Sequence, residues 1–120
     1  MPDIRAAIEA LEKATEGSEK LDVMICRALH GYAADEPLWH VLPYTRSLDA
    51  ALTLVPAGWA WFVEQIGKPY SEGRARLWIP SARTQGLQTE NINVDCATPA
   101  LALCLAALRA RESAIEPEGE

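Results

Sequence analysis

The stretch Trp59-Ala60-Trp61-Phe62-Val63-Glu64-Gln65-Ile66-Gly67-Lys68-Pro69-Tyr70-Ser71-Glu72-Gly73-Arg74-Ala75-Arg76-Leu77-Trp78-Ile79 decides the fold. Its first eight residues alternate, with Trp59, Trp61 and Val63 on one face and Phe62 and Ile66 on the other, around Glu64. From Arg74 the alternation returns. Ala75, Leu77 and Ile79 face one way, and Arg74, Arg76 and Trp78 the other. Two period-two runs joined by a glycine-containing connection predict an antiparallel hairpin.

Helical spacing flanks this hairpin on both sides. Upstream, Ser47 precedes Leu48, Ala51, Leu52 and Val55 at i, i+3, i+4 and i+7, and Pro56-Ala57-Gly58 ends that short helix. Further back, Ile4, Ile8 and Leu11, with Ala7 and Ala14, predict a first amphipathic helix capped by Asp3 and stopped at Gly17. Ser18 caps a second, whose buried stripe is Leu21, Ile25, Ala28 and Leu29 and whose stop is Gly31. Between Tyr32 and Thr45 the pattern is weak. Trp39, Val41 and Leu42 suggest a short strand that Pro37 and Pro43 confine to an edge or a loop.

Downstream, Ser81 to Asn91 is polar, contains Gly86 and reads as a surface loop, with a short strand from Ile92 to Val94. Thr98-Pro99 is a helix start, with a hydroxyl cap followed by proline at the first helical position. The helix is expected to run to about Glu112. Leu101, Leu105 and Leu108 form one stripe, while Leu103 and Cys104 lie off it. A helix apolar on more than one side is either sandwiched inside its own domain or covered by another chain, as in a homo-oligomer formed through residues 99–112. The elements together predict an α+β fold, an antiparallel sheet covered by helices in an α-β-α layered sandwich. One domain is expected over residues 1–113, followed by an acidic tail at 114–120.

Composition narrows the class. With 120 residues, 49% hydrophobic and 23% charged, the chain can bury a core without disulfides or metals. A net charge of −6 disfavours broad nucleic-acid binding, because the field repels phosphates. Cys26, Cys96 and Cys104 are odd in number and lack a CxxC pair, which fits a reducing compartment. Met1 to Ala10 has no signal-peptide pattern, and Ala100 to Leu108 is far short of the ~20 residues of a membrane span. A cytoplasmic protein without a membrane partner is expected.

The run Tyr44-Thr45-Arg46-Ser47-Leu48-Asp49-Ala50-Ala51-Leu52-Thr53-Leu54-Val55-Pro56-Ala57-Gly58-Trp59 resembles the central signature of small bacteriophage and prophage proteins grouped as the phage ABA-sandwich domain. The Leu21-Asp22 helix, the aromatic strand after Pro-x-Gly-Trp and the Ala97-Thr98-Pro99-Ala100-Leu101-Ala102-Leu103-Cys104 helix match the same pattern. Residues 32–40 match it poorly. The resemblance implies a phage origin and a three-layer helix–sheet–helix fold, and with that origin the expected location is the host bacterial cytoplasm. It implies no chemistry.

The residues themselves point to binding rather than catalysis. His30 and His40 lie in no metal-spaced cluster with the cysteines, and no GxSxG, P-loop or glycine-rich phosphate fingerprint is present. No catalytic residue, metal or cofactor is therefore expected. The aromatic residues concentrate in the middle of the chain, and Arg74 and Arg76 share a strand face with Trp78. Rings stack on a flat base and guanidinium forks hold phosphate oxygens in pairs. Candidate ligand-binding residues are Arg74, Arg76, Trp78, Trp59, Trp61, Arg83 and the Tyr44, Thr45, Arg46, Ser47 run, where hydroxyls and free N–H groups meet a helix start. Each has a plainer reading: Trp59 and Trp61 as core, Arg74 and Arg76 as a solvated edge, Thr45 and Ser47 as caps.

Two functions from different classes follow. One is a non-enzymatic phage accessory protein that sequesters a nucleotide-derived host immune signal, a cyclic oligonucleotide or an ADP-ribose derivative. The other is a protein–protein module that inhibits or adapts a host protein, with a small hydrolase of such signals as a third possibility.

Overall fold

The computed structural model describes residues 4–30, 41–67, 72–80 and 88–115. The elements are α1 (Ile4–Lys13), α2 (Glu19–His30), α3 (Leu48–Leu52), β1 (Ala60–Ile66), β2 (Glu72–Pro80), β3 (Gln88–Cys96) and α4 (Pro99–Ile115). The three strands form one antiparallel sheet in the order β1-β2-β3. The fold is α+β, with the expected hairpin at its centre. Asp3, Gly31, Trp39, His40, the connection at 68–71, the loop at 81–87 with Arg83, and residues 116–120 lie outside the described residues.

Local chemistry explains where the helices start. Ser18 Oγ accepts from Leu21 N at 3.2 Å, Ser47 Oγ from Ala50 N at 3.3 Å, and Thr98 Oγ1 from Leu101 N at 3.1 Å. Each hydroxyl satisfies an N–H that the helix cannot pair internally. Two boundaries differ from expectation. β3 starts at Gln88 rather than Ile92, because pairing with β2 recruits polar residues that alternation alone does not mark as a strand. α4 runs to Ile115, into the expected tail. Residues 44–46 form a turn, and no strand includes Val41 or Leu42.

α4 is the middle layer of the molecule. Residues 100 to 108 and Ala110 are all buried, so no side of that stretch is open. It packs on β2 and β3 on one side and on α1 and α3 on the other, while α2 packs on α1. Within the α+β class the described layers therefore run sheet, α4, then α1, α2 and α3. No described helix covers the second face of the sheet. This also corrects the expectation of an oligomer through residues 99–112. The apolar surface of that helix is already covered by its own domain, each buried leucine contributing roughly 1.5–3 kcal/mol.

Two glycines permit the tight joins. A Cβ on Gly73 would lie 2.1 Å from Pro99 Cα, so the start of α4 rests directly on the β2 backbone. A Cβ on Gly17 would lie 2.0 Å from the Thr45 carbonyl oxygen, so the α1–α2 turn presses on the Tyr44–Arg46 turn.

Candidate functional site

Two polar assemblies stand out, one inside and one outside. The inner one is centred on Asp22, whose side chain is fully buried in the first half of α2. Its Oδ1 accepts from Thr45 N at 2.8 Å and from Thr45 Oγ1 at 2.6 Å. Its Oδ2 accepts from Arg46 Nε at 2.9 Å, with Arg46 Nη2 at 2.8 Å. Thr45 Oγ1 also accepts from Ser18 N at 3.0 Å and lies 3.1 Å from the Ser18 carbonyl oxygen. A buried carboxylate is tolerable only when paired and hydrogen-bonded in this way. The hub ties the start of α2 to the turn before α3.

That arrangement decides several candidates. The N–H and hydroxyl of Thr45 are taken by Asp22 and Ser18, and the hydroxyl of Ser47 is taken by its own helix. α3 has five residues, too few for an anion site at its start. Tyr44 is buried, and its carbonyl accepts from Cys104 Sγ at 3.1 Å. Thr45, Ser47 and Tyr44 are thus structural. Arg46 is half-exposed and ion-paired, at the edge of an open depression of about 450 Å³ lined also by Gly17, Leu48, Gln65, Pro99 and Ala100.

The outer assembly lies on the sheet face that no described helix covers. Register aligns three rows of residues across the strands: Ala60 and Trp78 with position 91 of the backbone, then Phe62–Arg76–Asn93 and Glu64–Arg74–Asp95. Neighbouring strands are about 4.8 Å apart, so side chains facing each other across a row are within reach of one another. Arg74 Nε donates to Asp95 Oδ1 at 2.9 Å, and its Nη1 lies 3.8 Å from Glu64 Oε2. The hydrogen bond and charge of Asp95 hold the guanidinium above its ordinary pKa. Arg76 differs. Its Nε donates at 2.9 Å to a neutral amide, Asn93 Oδ1, and no described carboxylate pairs with it. Beside it Phe62 is 49% exposed, and Trp78 is half-buried in the next row.

The sheet therefore divides the aromatic residues. Trp61 pairs with Leu77 on the helix-facing side, so it does not join Arg74, Arg76 and Trp78, although it is 46% exposed at the strand edge. Trp59 packs partly buried against the core. Phe62, absent from the sequence-based candidates, takes their place beside Arg76. The signal existed: pairing the two runs of the hairpin sets Phe62 opposite an arginine on the outer face.

The cysteines offer no ready nucleophile. Burial raises the pKa of Cys26, Cys96 and Cys104, which keeps all three as thiols. Among the described residues, no group of three or more His, Cys, Asp and Glu is placed to hold a metal ion, and no helix is long and apolar enough to cross a membrane.

The fold and site thus define an α+β domain with one sheet face that no described helix covers, carrying aromatic side chains and charges of both signs. No protein family, curated protein or solved structure was found to match the chain.

Proposed function

We propose that this protein works by binding, with the outer sheet face as its recognition surface and a nucleotide-like anion as its ligand. The observation that carries this reading is the Phe62–Arg76–Asn93 row. It sets an exposed ring, a guanidinium without a carboxylate partner among the described residues, and an amide side by side. A base stacks on Phe62, and the free edge of the Arg76 fork holds phosphate oxygens. Arg74 plays a lesser part, since Asp95 and Glu64 already balance its charge.

In its biological form the proposal is a small phage accessory protein acting in the cytoplasm of a bacterial host. It sequesters a nucleotide-derived immune signal, a cyclic oligonucleotide or an ADP-ribose derivative, without transforming it. A thermal-shift screen against cyclic dinucleotides, cyclic trinucleotides and ADP-ribose derivatives tests this. A ligand at ~100 times its dissociation constant adds about 2.7 kcal/mol of stability, several degrees for a domain of this size. The expected result is a clear shift with the ligand recovered intact. A shift with turnover would make the protein a hydrolase of the signal.

A second reading rests on the same uncovered face: docking of a host protein on its mixed-charge rows, where Glu64, Arg74 and Asp95 alternate in sign. Absence of any ligand shift, with co-purification of one host protein, would favour it.

A further inference from the structure

Among the described residues the two outer strands of the sheet each have one unpaired edge, and the two edges are built differently. β3 reads Gln88-Thr89-Glu90-Asn91-Ile92-Asn93-Val94-Asp95-Cys96, a polar edge with two carboxylates. β1 reads Ala60-Trp61-Phe62-Val63-Glu64-Gln65-Ile66, with no lysine and no proline. Its one charge, Glu64, is balanced by Arg74. Charges and prolines are the usual protection of an edge strand against pairing, and β1 has almost none. It instead carries two exposed large side chains, Trp61 on the helix-facing side and Phe62 on the outer side. Among the described residues, no strand pairs with the outer edge of β1.

We infer that β1 pairs with β1 of a second copy of this chain, antiparallel about a two-fold axis at Val63, to make one six-stranded sheet. In such a pair, opposed residues always share parity, so the outward N–H and C=O groups of the two copies meet. Centring on Val63 uses all seven residues of the strand. It sets Ala60 against Ile66, Trp61 against Gln65 and Phe62 against Glu64 of the other copy. Centring on Glu64 instead would oppose two carboxylates, which is destabilising.

The Val63 register has a second consequence. Gln65 lines the depression of about 450 Å³ together with Leu48, Pro99 and Ala100. Trp61 of each copy therefore reaches the mouth of the other copy's depression, and symmetry makes this happen twice. Leu48, 39% exposed on its own, becomes part of the indole's seat. The edge is about 24 Å long at about 3.4 Å per residue, and sheet plus helix layer are about 20 Å deep, so roughly 1,000 Å² is buried in total, the lower threshold of a biological interface and the size of a reversible dimer. This inference does not depend on the ligand reading, although it places both copies of the Phe62–Arg76 row on one continuous outer surface.

Light scattering coupled to size exclusion, at tens of micromolar protein, tests it. The wild type is expected at about twice the 13.1 kDa chain mass. Trp61→Lys and Leu48→Glu, both at exposed side chains, are each expected to return the protein to monomer mass with the circular dichroism spectrum kept. A wild-type mass of one chain would overturn the inference, without reference to any variant. A dimer that survives both substitutions would also overturn it, by placing the interface elsewhere.

Discussion

Arg46 and Arg76 are both half of a side-chain pair, yet they sit in opposite kinds of surroundings. Arg46 ends a closed network in which Asp22 receives hydrogen bonds on both oxygens and Thr45 is satisfied at N–H and hydroxyl. Arg76 lies on an open sheet face, bonded to a neutral amide and bordered by an exposed ring. The first cation is committed to holding α2 against the turn before α3. The second has no carboxylate partner among the described residues, and on the proposed reading its outer donors meet the ligand. The difference separates a cation tied into the fold from one bonded only to a neutral amide among the described residues, in a chain where both arginines look alike by type.

The strongest way to break this comparison is to attack the hub. Asp22→Ala leaves the N–H and hydroxyl of Thr45 without their buried acceptor. The loss of stability is expected to be about 2–4 kcal/mol, moderated because Arg46 can return to water. Urea unfolding measures it. A loss below about 0.5 kcal/mol, the level of an ordinary surface change, would mean that the hub is not structural.

Next comes the join between sheet and α4. Gly73→Ala puts a methyl group where the Pro99 backbone stands. Overpacking at such a contact is expected to cost roughly 1–3 kcal/mol. Gly58→Ala, by contrast, meets nothing within 4 Å, and its cost comes from its φ of 91° alone.

The third effect depends on pH. Burial raises the pKa of Cys104 far above the 9.0 of a free thiol. The folded state therefore holds this proton where the unfolded chain releases it. Its stabilising share is complete below pH 9 and is lost progressively as pH rises above it, by at most about 1.4 kcal/mol per pH unit. Unfolding midpoints measured from pH 8 to pH 10.5 are expected to fall, and Cys104→Ala to flatten the slope. An equal slope in the variant would assign the alkaline loss to other groups.

How much of this was legible in the sequence follows from the range of each interaction. The hairpin, the Ser18, Ser47 and Thr98 caps and the stop after Val55 are local, and residue types at short spacing mark them. The Asp22 hub is not. Its partners lie 23 and 24 residues away, beyond a segment where the pattern is weak. The contrast between Arg74 and Arg76 was equally hidden, because it rests on whether β3 offers Asp95 or Asn93 opposite them. Nothing local marks Gln88 to Asn91 as strand. The position of α4 was half legible: its leucines on several sides announced burial, and only the packing of α1, α3 and the sheet showed that the burial is internal.

The smallest effect on stability is expected at Arg76 itself, and this is where the central claim is most exposed. Calorimetric titration of the best ligand from the screen into wild type, Arg76→Ala and Arg74→Ala, with an unfolding curve for each, compares the two rows of the outer face directly. The account predicts that Arg76→Ala weakens binding by about 10- to 100-fold, the loss of one or two charge-assisted hydrogen bonds, while stability changes by less than about 0.5 kcal/mol. Arg74→Ala should weaken it by no more than about threefold, since Asp95 and Glu64 already hold that charge. Unchanged affinity in Arg76→Ala would contradict the account and leave the open sheet face without its ligand.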